Sequence, residues 1–565
     1  MNITYKDDLS IVICGEAGQG VQTVEKLLTD ILKLDGYNVF ASKEYMSRVR
    51  GGSNSTQVRV ASGRVMSFID RIDVLIPLDK DAIPHLEKRI SEQTVIIGDK
   101  EKLKTDRKFV DVGFEKIAVE IGKPIYANTV AVGVILGLLN ADKEAYEGYL
   151  RQYFAKKGDE VVNSNIVAAQ KGFDKGRQIA SDEKIEIDIA KSPSIKEEIL
   201  ISGADAVSLG AIAGGCNFIS AYPMTPSTSV LTNLSKYAAQ FGIIAEQAED
   251  EISAINMSLG AWYAGARALV STAGGGFALM VEGLSLAGAI ESPAVIIVGQ
   301  RPAPATGLPT KTEQSDLEFV LYSGHGEFPR AVFAPGTLEE AFAIPQKAFN
   351  LADKYQVPII ILVDQYMMDF YYNDSIERFK YLKIERFTTK TTKDYKRYQL
   401  TPDGISPRGI PGFGEGFICA DSDEHDESGR ITEDADVRKA MMDKRLKKLD
   451  YLINDAELPV LTGKEDYKTL VIGWGSTAGA IREAVTKLGD NSVSSLHFSQ
   501  VYPLHPKTAE YLGKAKNLII VENNATSQFG KLIRLYTGIE IKNKLLKYNG
   551  SPFSVEEIVE QLRKM

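Results

Sequence analysis

A few short runs hold the residue types that could do chemistry. Gly15-Glu-Ala-Gly18-Gln-Gly20 follows an apolar stretch, Leu9–Cys14, and precedes a helical pattern, Gln22–Leu34. Glycines allow tight turns, and a helix N-terminus offers free N–H groups to an anion. The order is G-x-x-G-x-G rather than the dinucleotide order, so a phosphate site and a close-packed strand–helix turn both stay open. Arg48 and Arg50 stand beside Gly51-Gly52. They suit a forked grip on a carboxylate or phosphate, or equally an exposed basic loop or subunit contact. In Tyr222-Pro-Met-Thr225-Pro-Ser-Thr228, capping chemistry predicts Thr225 as N-cap and Pro226 as first helical residue, but does not account for Tyr222-Pro223.

Glu249, Asp250 and Glu251 open a helical pattern in which Ile252, Ile255 and Leu259 share a predicted core face. Acidic residues there suit the helix dipole whatever else they do. Ser271-Thr-Ala-Gly274-Gly-Gly276 reads as a tight strand-to-helix turn. After a buried strand comes Arg301, with Thr310 nine residues on. A guanidinium and a hydroxyl can together hold a carboxylate, or the arginine can anchor the loop through a structural ion pair. The cluster Asp421, Asp423, Glu424, His425, Asp426 and Glu427 invites a metal reading. It fits no calcium loop, because Asp426 stands where glycine is required, and it is read as a polar connection.

Three alternating strand–helix blocks position these runs, and the fold class expected is multi-domain α/β. They span 1–190, 197–385 and 456–565, with an irregular charged connection over 386–455. The polar stretch Ser181–Lys196 reads as a linker, and the end of the charged connection as a helix. The 565 residues carry a net charge of −9, which argues against a nucleic-acid partner. No apolar run is long enough to span a bilayer, and the start reads as a first strand, so the expectation is a cytoplasmic protein. The three cysteines, Cys14, Cys216 and Cys419, are too few for a four-cysteine iron–sulfur site and are expected to be buried.

Taken in order, these runs resemble one family. The Gly-Gln-Gly and Arg-Gly-Gly segments over most of residues 9–180 resemble the gamma domain or subunit of 2-oxoacid oxidoreductases. Tyr-Pro-Met-Thr-Pro-Ser-Thr is similar to the Tyr-Pro-Ile-Thr-Pro-Ser-Ser signature of the alpha subunit. Arg301 to Asp316 follows that subunit's Arg…Gly-x-Pro-Thr-x-x-Glu-Gln-Ser-Asp pattern. The chain thus resembles the alpha subunit, with fused gamma domain, of a thiamine-diphosphate-dependent 2-oxoacid:ferredoxin oxidoreductase. One departure is Ala-Gly-Gly-Gly where the family usually has Ser-Gly-Pro-Gly.

The resemblance implies a gamma-like domain, a pyrimidine-binding domain and a transketolase C-terminal-like domain. It implies that Glu251, nine positions before Gly260, activates the cofactor at its pyrimidine nitrogen, with Glu249 the alternative. Thr225 would lie at the reacting centre, Arg301 and Thr310 on the substrate, and Tyr222, Pro223 and Gly275 against the cofactor. Gly18, Gly20, Arg48 and Arg50 would face coenzyme A or a subunit. No Gly-Asp-Gly occurs, so the diphosphate, its Mg²⁺ and a [4Fe-4S] cluster are expected on a smaller beta subunit that serves ferredoxin. The reaction implied is coenzyme A-dependent oxidative decarboxylation of a 2-oxoacid, with 2-oxoglutarate favoured. The alternatives are a non-catalytic assembly subunit and a nucleotide-dependent oxidoreductase. The strand-end turns at Gly473–Thr477 and Val521–Asn524 are assigned to packing and subunit contact.

Overall fold

The computed structural model describes residues 3–47 and 52–564. The chain divides into two compact units. The first comprises 1–201 with 369–378 and 554–557, and the second comprises 202–368, 379–553 and 558–565.

In the first unit, β1 (Asp8–Glu16) is buried along nearly its whole length and leads through the Gly18–Gly20 turn into α1 (Val21–Leu34). β2 (Asn38–Glu44) and β3 (Ser53–Ala61) pair antiparallel, while β4 (Val74–Pro77), β5 (Val95–Gly98) and β6 (Val110–Asp111) continue the other side in parallel. The order is β6-β5-β4-β1-β3-β2, followed by Tyr371–Asp374 and then Ile199–Ser202. β3 had no apolar signature, since its run is Ser-Asn-Ser-Thr-Gln-Val-Arg-Val-Ala. It is buried because its polar groups find partners: Gln57 donates to Ser10 Oγ, and Arg59 pairs with Asp8 at 3.1 Å. The stretch read as a linker is partly structured, because Ile185–Asp188 pairs in parallel with Ile3–Lys6. Two helices, α2 (Ala127–Leu138) and α3 (Asp159–Asp182), cover the sheet and meet at glycines. A Cβ on Gly133 would lie 2.3 Å from the carbonyl oxygen of Ala169.

The second unit holds two sheets. The larger contains β7 (Phe218–Ala221), β8 (Ile244–Gln247), β9 (Ala268–Ala273), β10 (Ala294–Gln300), β11 (Ala331–Phe333) and β12 (Pro358–Asp364). Its order is β8-β7-β9-β10-β12-β11, all parallel, and the short strand Gln500–Tyr502 closes the β11 edge antiparallel. Near-continuous Ile/Val/Leu runs in β10 and β12 are what a sheet covered on both faces requires. Its helices include α4 (Thr228–Phe241), α5 (Glu251–Tyr263), α6 (Gly274–Ala289) and α7 (Leu317–Tyr322). The smaller sheet has parallel strands Val493–Phe498, Thr469–Trp474, Asn517–Glu522 and Asn543–Leu546 in that order, with Val460–Thr462 antiparallel at the edge.

The charged connection belongs to this unit and is more ordered than its composition suggested. Thr388–Thr391 pairs with Arg408–Gly414, and α8 (Ala435–Asn454) follows. This helix is rich in charge, and Lys444 and Lys448 are buried beside Met441 and Leu452 because both reach the buried Glu291 carboxylate, at 2.6 and 2.5 Å. Burial alone would raise Glu291; the ammonium groups of Lys448 and Lys444 overcome that and hold it well below the usual carboxylate range. Glu424 is taken by Arg445 and Arg438, Glu427 by Lys396, and His425 packs against Tyr398 in a tilted pair with centroids 3.9 Å apart. Cys14 and Cys216 are buried, but Cys419 is exposed, because its segment runs along the outside of this connection. Among the described residues, no helix is long and apolar enough to cross a membrane.

Candidate active site

The parallel strands of the larger sheet end at one edge, where ligands bind in open α/β sheets. Here β7 delivers Tyr222 and Pro223, β9 delivers the three glycines, and β10 delivers Arg301.

The Tyr-Pro-Met-Thr-Pro segment is shaped differently from the capping expectation. α4 begins at Thr228, with Ser227 at its N-cap position, and the Thr225–Pro226 peptide is cis. Pro226 therefore precedes the helix rather than opening it, and its ring packs on β10, where a Cβ on Gly299 would meet it at 2.7 Å. Arg301 Nη1 donates to the Thr225 carbonyl oxygen at 2.8 Å. Two residues 76 positions apart thus form one corner of the site, and Tyr222, 40% exposed, stands at its rim.

Glu251 and Glu249 fare differently. Glu249 is exposed. Glu251 is 3% exposed, and its Oε1 is buried without a hydrogen-bond partner. Asp250 does the capping, accepting from Ser253 N at 2.7 Å, so Glu251 is not needed for that role. Ile255 and Leu259 are core residues, but Ile252 is 46% exposed and points away from them.

The three glycines are not a loop but the first turn of α6, after Ala273 at the N-cap. None of them has positive φ. Their use is close approach: a Cβ on Gly276 would lie 2.5 Å from Glu251 Oε1, and one on Gly274 would lie 2.6 Å from both Asp316 carboxylate oxygens. Gly275, between them, has nothing within 4 Å of its Cβ position. Two carboxylates therefore bracket one open backbone position at the positive end of a helix.

The loop 301–316 is exposed from Ala303 to Leu308 and fixed at both ends, with Thr310 partly buried. Its far end is clasped by the smaller sheet. Gln314, fully buried, donates through Nε2 to the Trp474 carbonyl at 2.7 Å and accepts at Oε1 from Asn523 N at 2.9 Å. Its backbone N–H donates to Asn523 O at 2.7 Å, and Asn524 Nδ2 donates to its carbonyl at 3.2 Å. The turns assigned to packing and subunit contact thus hold the loop that carries Thr310. Gln314 itself sat inside a quoted motif without a role, because a neutral side chain in a motif gives no chemical signal until its partners are visible.

In the first unit, Gly18 and Gly20 have φ of 93° and 85°, the left-handed region that glycine adopts freely. The turn separates two concavities of about 260 and 280 Å³. Asn128 and Lys102 line the first; Lys43, Asn54 and the buried Glu25 line the second. Arg48 and Arg50 lie outside the described residues.

Comparison with known proteins follows this division. Residues 10–175 match the family model for pyruvate ferredoxin/flavodoxin oxidoreductase, and residues 209–444 match the thiamine-diphosphate-binding model of pyruvate flavodoxin/ferredoxin oxidoreductase. A 2-oxoacid:ferredoxin oxidoreductase subunit alpha from Sulfolobus sp. is 31% identical, over 99% of this chain and 97% of its own length. The 2-oxoglutarate oxidoreductase subunit KorA of Mycobacterium tuberculosis is 28% identical, over 98% of this chain and 90% of its own. Among solved structures, 2-oxoglutarate:ferredoxin oxidoreductase from Magnetococcus marinus, with 2-oxoglutarate, coenzyme A and succinyl-CoA bound, superposes with a TM-score of 0.93. It is 30% identical and covers 99% of this chain and 100% of its own. The chain belongs to the 2-oxoacid:ferredoxin oxidoreductase family, as an alpha subunit that carries both matched regions in one polypeptide.

Proposed function

We propose that this chain, with a beta subunit, carries out coenzyme A-dependent oxidative decarboxylation of a 2-oxoacid, with 2-oxoglutarate the favoured substrate and ferredoxin the electron acceptor. The observation that carries the site assignment is the unpartnered, buried Oε1 of Glu251 beside the open Gly275. A buried carboxylate oxygen without a partner is costly, and a protonated ring nitrogen of the aminopyrimidine would satisfy it. The residues present therefore fit thiamine diphosphate, which when bound supplies the carbon nucleophile and electron sink for cleaving the 2-oxoacid.

Glu251 holds the shared proton at the pyrimidine nitrogen. Tyr222, Pro223 and Gly275 shape the wall against the ring. Thr225 is held by Arg301 at the reacting centre, and Arg301 with Thr310 binds the 2-oxoacid carboxylate. The diphosphate, Mg²⁺ and a [4Fe-4S] cluster are assigned to the partner chain, since three cysteines fall one short of a cluster site. Coenzyme A is assigned to the Gly18–Gly20 turn, where Gly18, left-handed and with open space at its Cβ position, lies between two concavities. The setting is cytoplasmic.

The test is the complex purified from its native cell, assayed for thiamine-diphosphate- and coenzyme A-dependent viologen reduction on pyruvate, 2-oxoglutarate and branched 2-oxoacids. Glu251→Gln should lower turnover by about 10²–10⁴-fold while the complex stays assembled. Undiminished activity in that variant would hand the chain to the assembly-subunit reading.

A further inference from the structure

Asp316 presents a puzzle next to a site for an anionic substrate. It is 7% exposed, and its backbone N–H is fixed by Gln300 Oε1 at 3.1 Å. It occupies the N-cap position of α7 without using its carboxylate to cap it, and no donor among the described residues hydrogen-bonds that carboxylate. Both its oxygens lie against Gly274, one residue from the open Gly275. Ionised, it would repel a 2-oxoacid carboxylate and compete for Arg301. Carrying its proton, it becomes an O–H donor to such an anion.

We infer that Asp316 is a further substrate-binding residue of this site, acting as a neutral carboxylic acid that donates a hydrogen bond to the 2-oxoacid beside Arg301. The inference rests on the proposed assignment of Arg301 and Glu251.

The surroundings favour the neutral form. Burial raises Asp316 most, Glu313 on the same loop adds to it, and Arg301 opposes both, leaving it at about 7. Burial likewise raises Glu313. The other charged groups near it are Glu251, which packs on Gly276 two residues along α6, and the Glu318–Lys531 pair at 2.8 Å on the outer side of α7. Glu522 lies behind the Gln314 clasp, already bonded to Asn524 and Ser527. Among the described residues, Arg301 is the cation that bears on the Asp316 carboxyl.

The sign follows directly. Below about pH 7 the acid is neutral and binds; above it the carboxylate repels the substrate. In the assembled native complex, KM for the 2-oxoacid should therefore rise by about tenfold between pH 6 and pH 8.5. In Asp316→Asn, whose amide donates at every pH, KM should change less than about twofold over that range, so the variant should bind substrate more tightly than wild type at pH 8.5. Glu313→Gln should keep the rise but move its midpoint to lower pH. A purely structural role for Asp316 produces neither effect. The inference is overturned if Asp316→Asn keeps the wild-type rise, or if wild-type KM is flat across the range. Glu251→Gln serves as the separate control: if it is fully active, the site assignment itself fails, whatever Asp316 does.

Discussion

The molecule uses glycine-rich strand-to-helix turns twice, for different physical reasons. In the first unit, Gly18 and Gly20 adopt positive φ, and Gly18 has nothing within 4 Å of its Cβ position. In the second unit, Gly274 and Gly276 have ordinary helical backbone and are needed because Asp316 and Glu251 press against them. Gly18 is glycine for its backbone angle alone and Gly274 and Gly276 for their missing side chains, while Gly20 needs both, since a Cβ there would lie 2.0 Å from Asn128 Nδ2. A glycine-rich run in a sequence is therefore two signals, and only neighbours far along the chain tell them apart.

Substitutions can sharpen that contrast. Gly276→Ala is expected to have the largest effect: its methyl would meet Thr272 Oγ1 at 2.2 Å and Glu251 Oε1 at 2.5 Å. Displacing Glu251 should cost about 100-fold or more in turnover, read by steady-state assay of the complex. Gln314→Met keeps volume but loses both side-chain bonds of the clasp. KM for the 2-oxoacid should rise by about tenfold, more than kcat falls, since the loop rather than the cofactor wall is loosened; an unchanged KM would detach the clasp from substrate binding.

Gly275→Ala separates stability from activity. With open space and helical angles, alanine should raise stability by about 0.5–1 kcal/mol, measured by thermal or denaturant unfolding, while activity falls because the cofactor approach is narrowed. Higher stability with full activity would remove Gly275 from the site. The smallest effect is expected in the first unit. Gly18→Ala should cost about 1–2 kcal/mol through its left-handed angle alone, with no steric contribution, and should weaken coenzyme A more than the 2-oxoacid. A change confined to 2-oxoacid kinetics would contradict that assignment.

The regular elements were legible in the sequence wherever apolar periodicity set them. The apolar stretch Leu9–Cys14 lies within the strand Asp8–Glu16, and the helical pattern Gln22–Leu34 within the helix Val21–Leu34. What escaped was structure set by distant partners. β3 is a polar run that becomes a central strand only because Asp8 and Ser10 answer it. The end of the charged connection was legible as a helix, but the burial of its lysines depends on Glu291 beneath them. Ile252 matched a core period, yet the side of α5 that it occupies stays uncovered by this chain. At the site, the family resemblance gave Thr225, Glu251 and Arg301 as candidates. The preference for Glu251 over Glu249 came from its interval to Gly260, and its burial supports it; the parts played by Gln314 and Asp316 needed their neighbours.

The loop 301–316 is tied at Arg301 and at Gln314, with a run of exposed residues between. A segment anchored this way behaves as an interchangeable cassette. Insertions or exchanges between Ala303 and Leu308 leave both anchors untouched, so new substrate preferences can be tried without redesigning the scaffold. An engineer grafting this stretch from a relative with another 2-oxoacid preference would keep Arg301, Gly307, Thr310 and Gln314 fixed and vary the other exposed positions from Ala303 to Leu308.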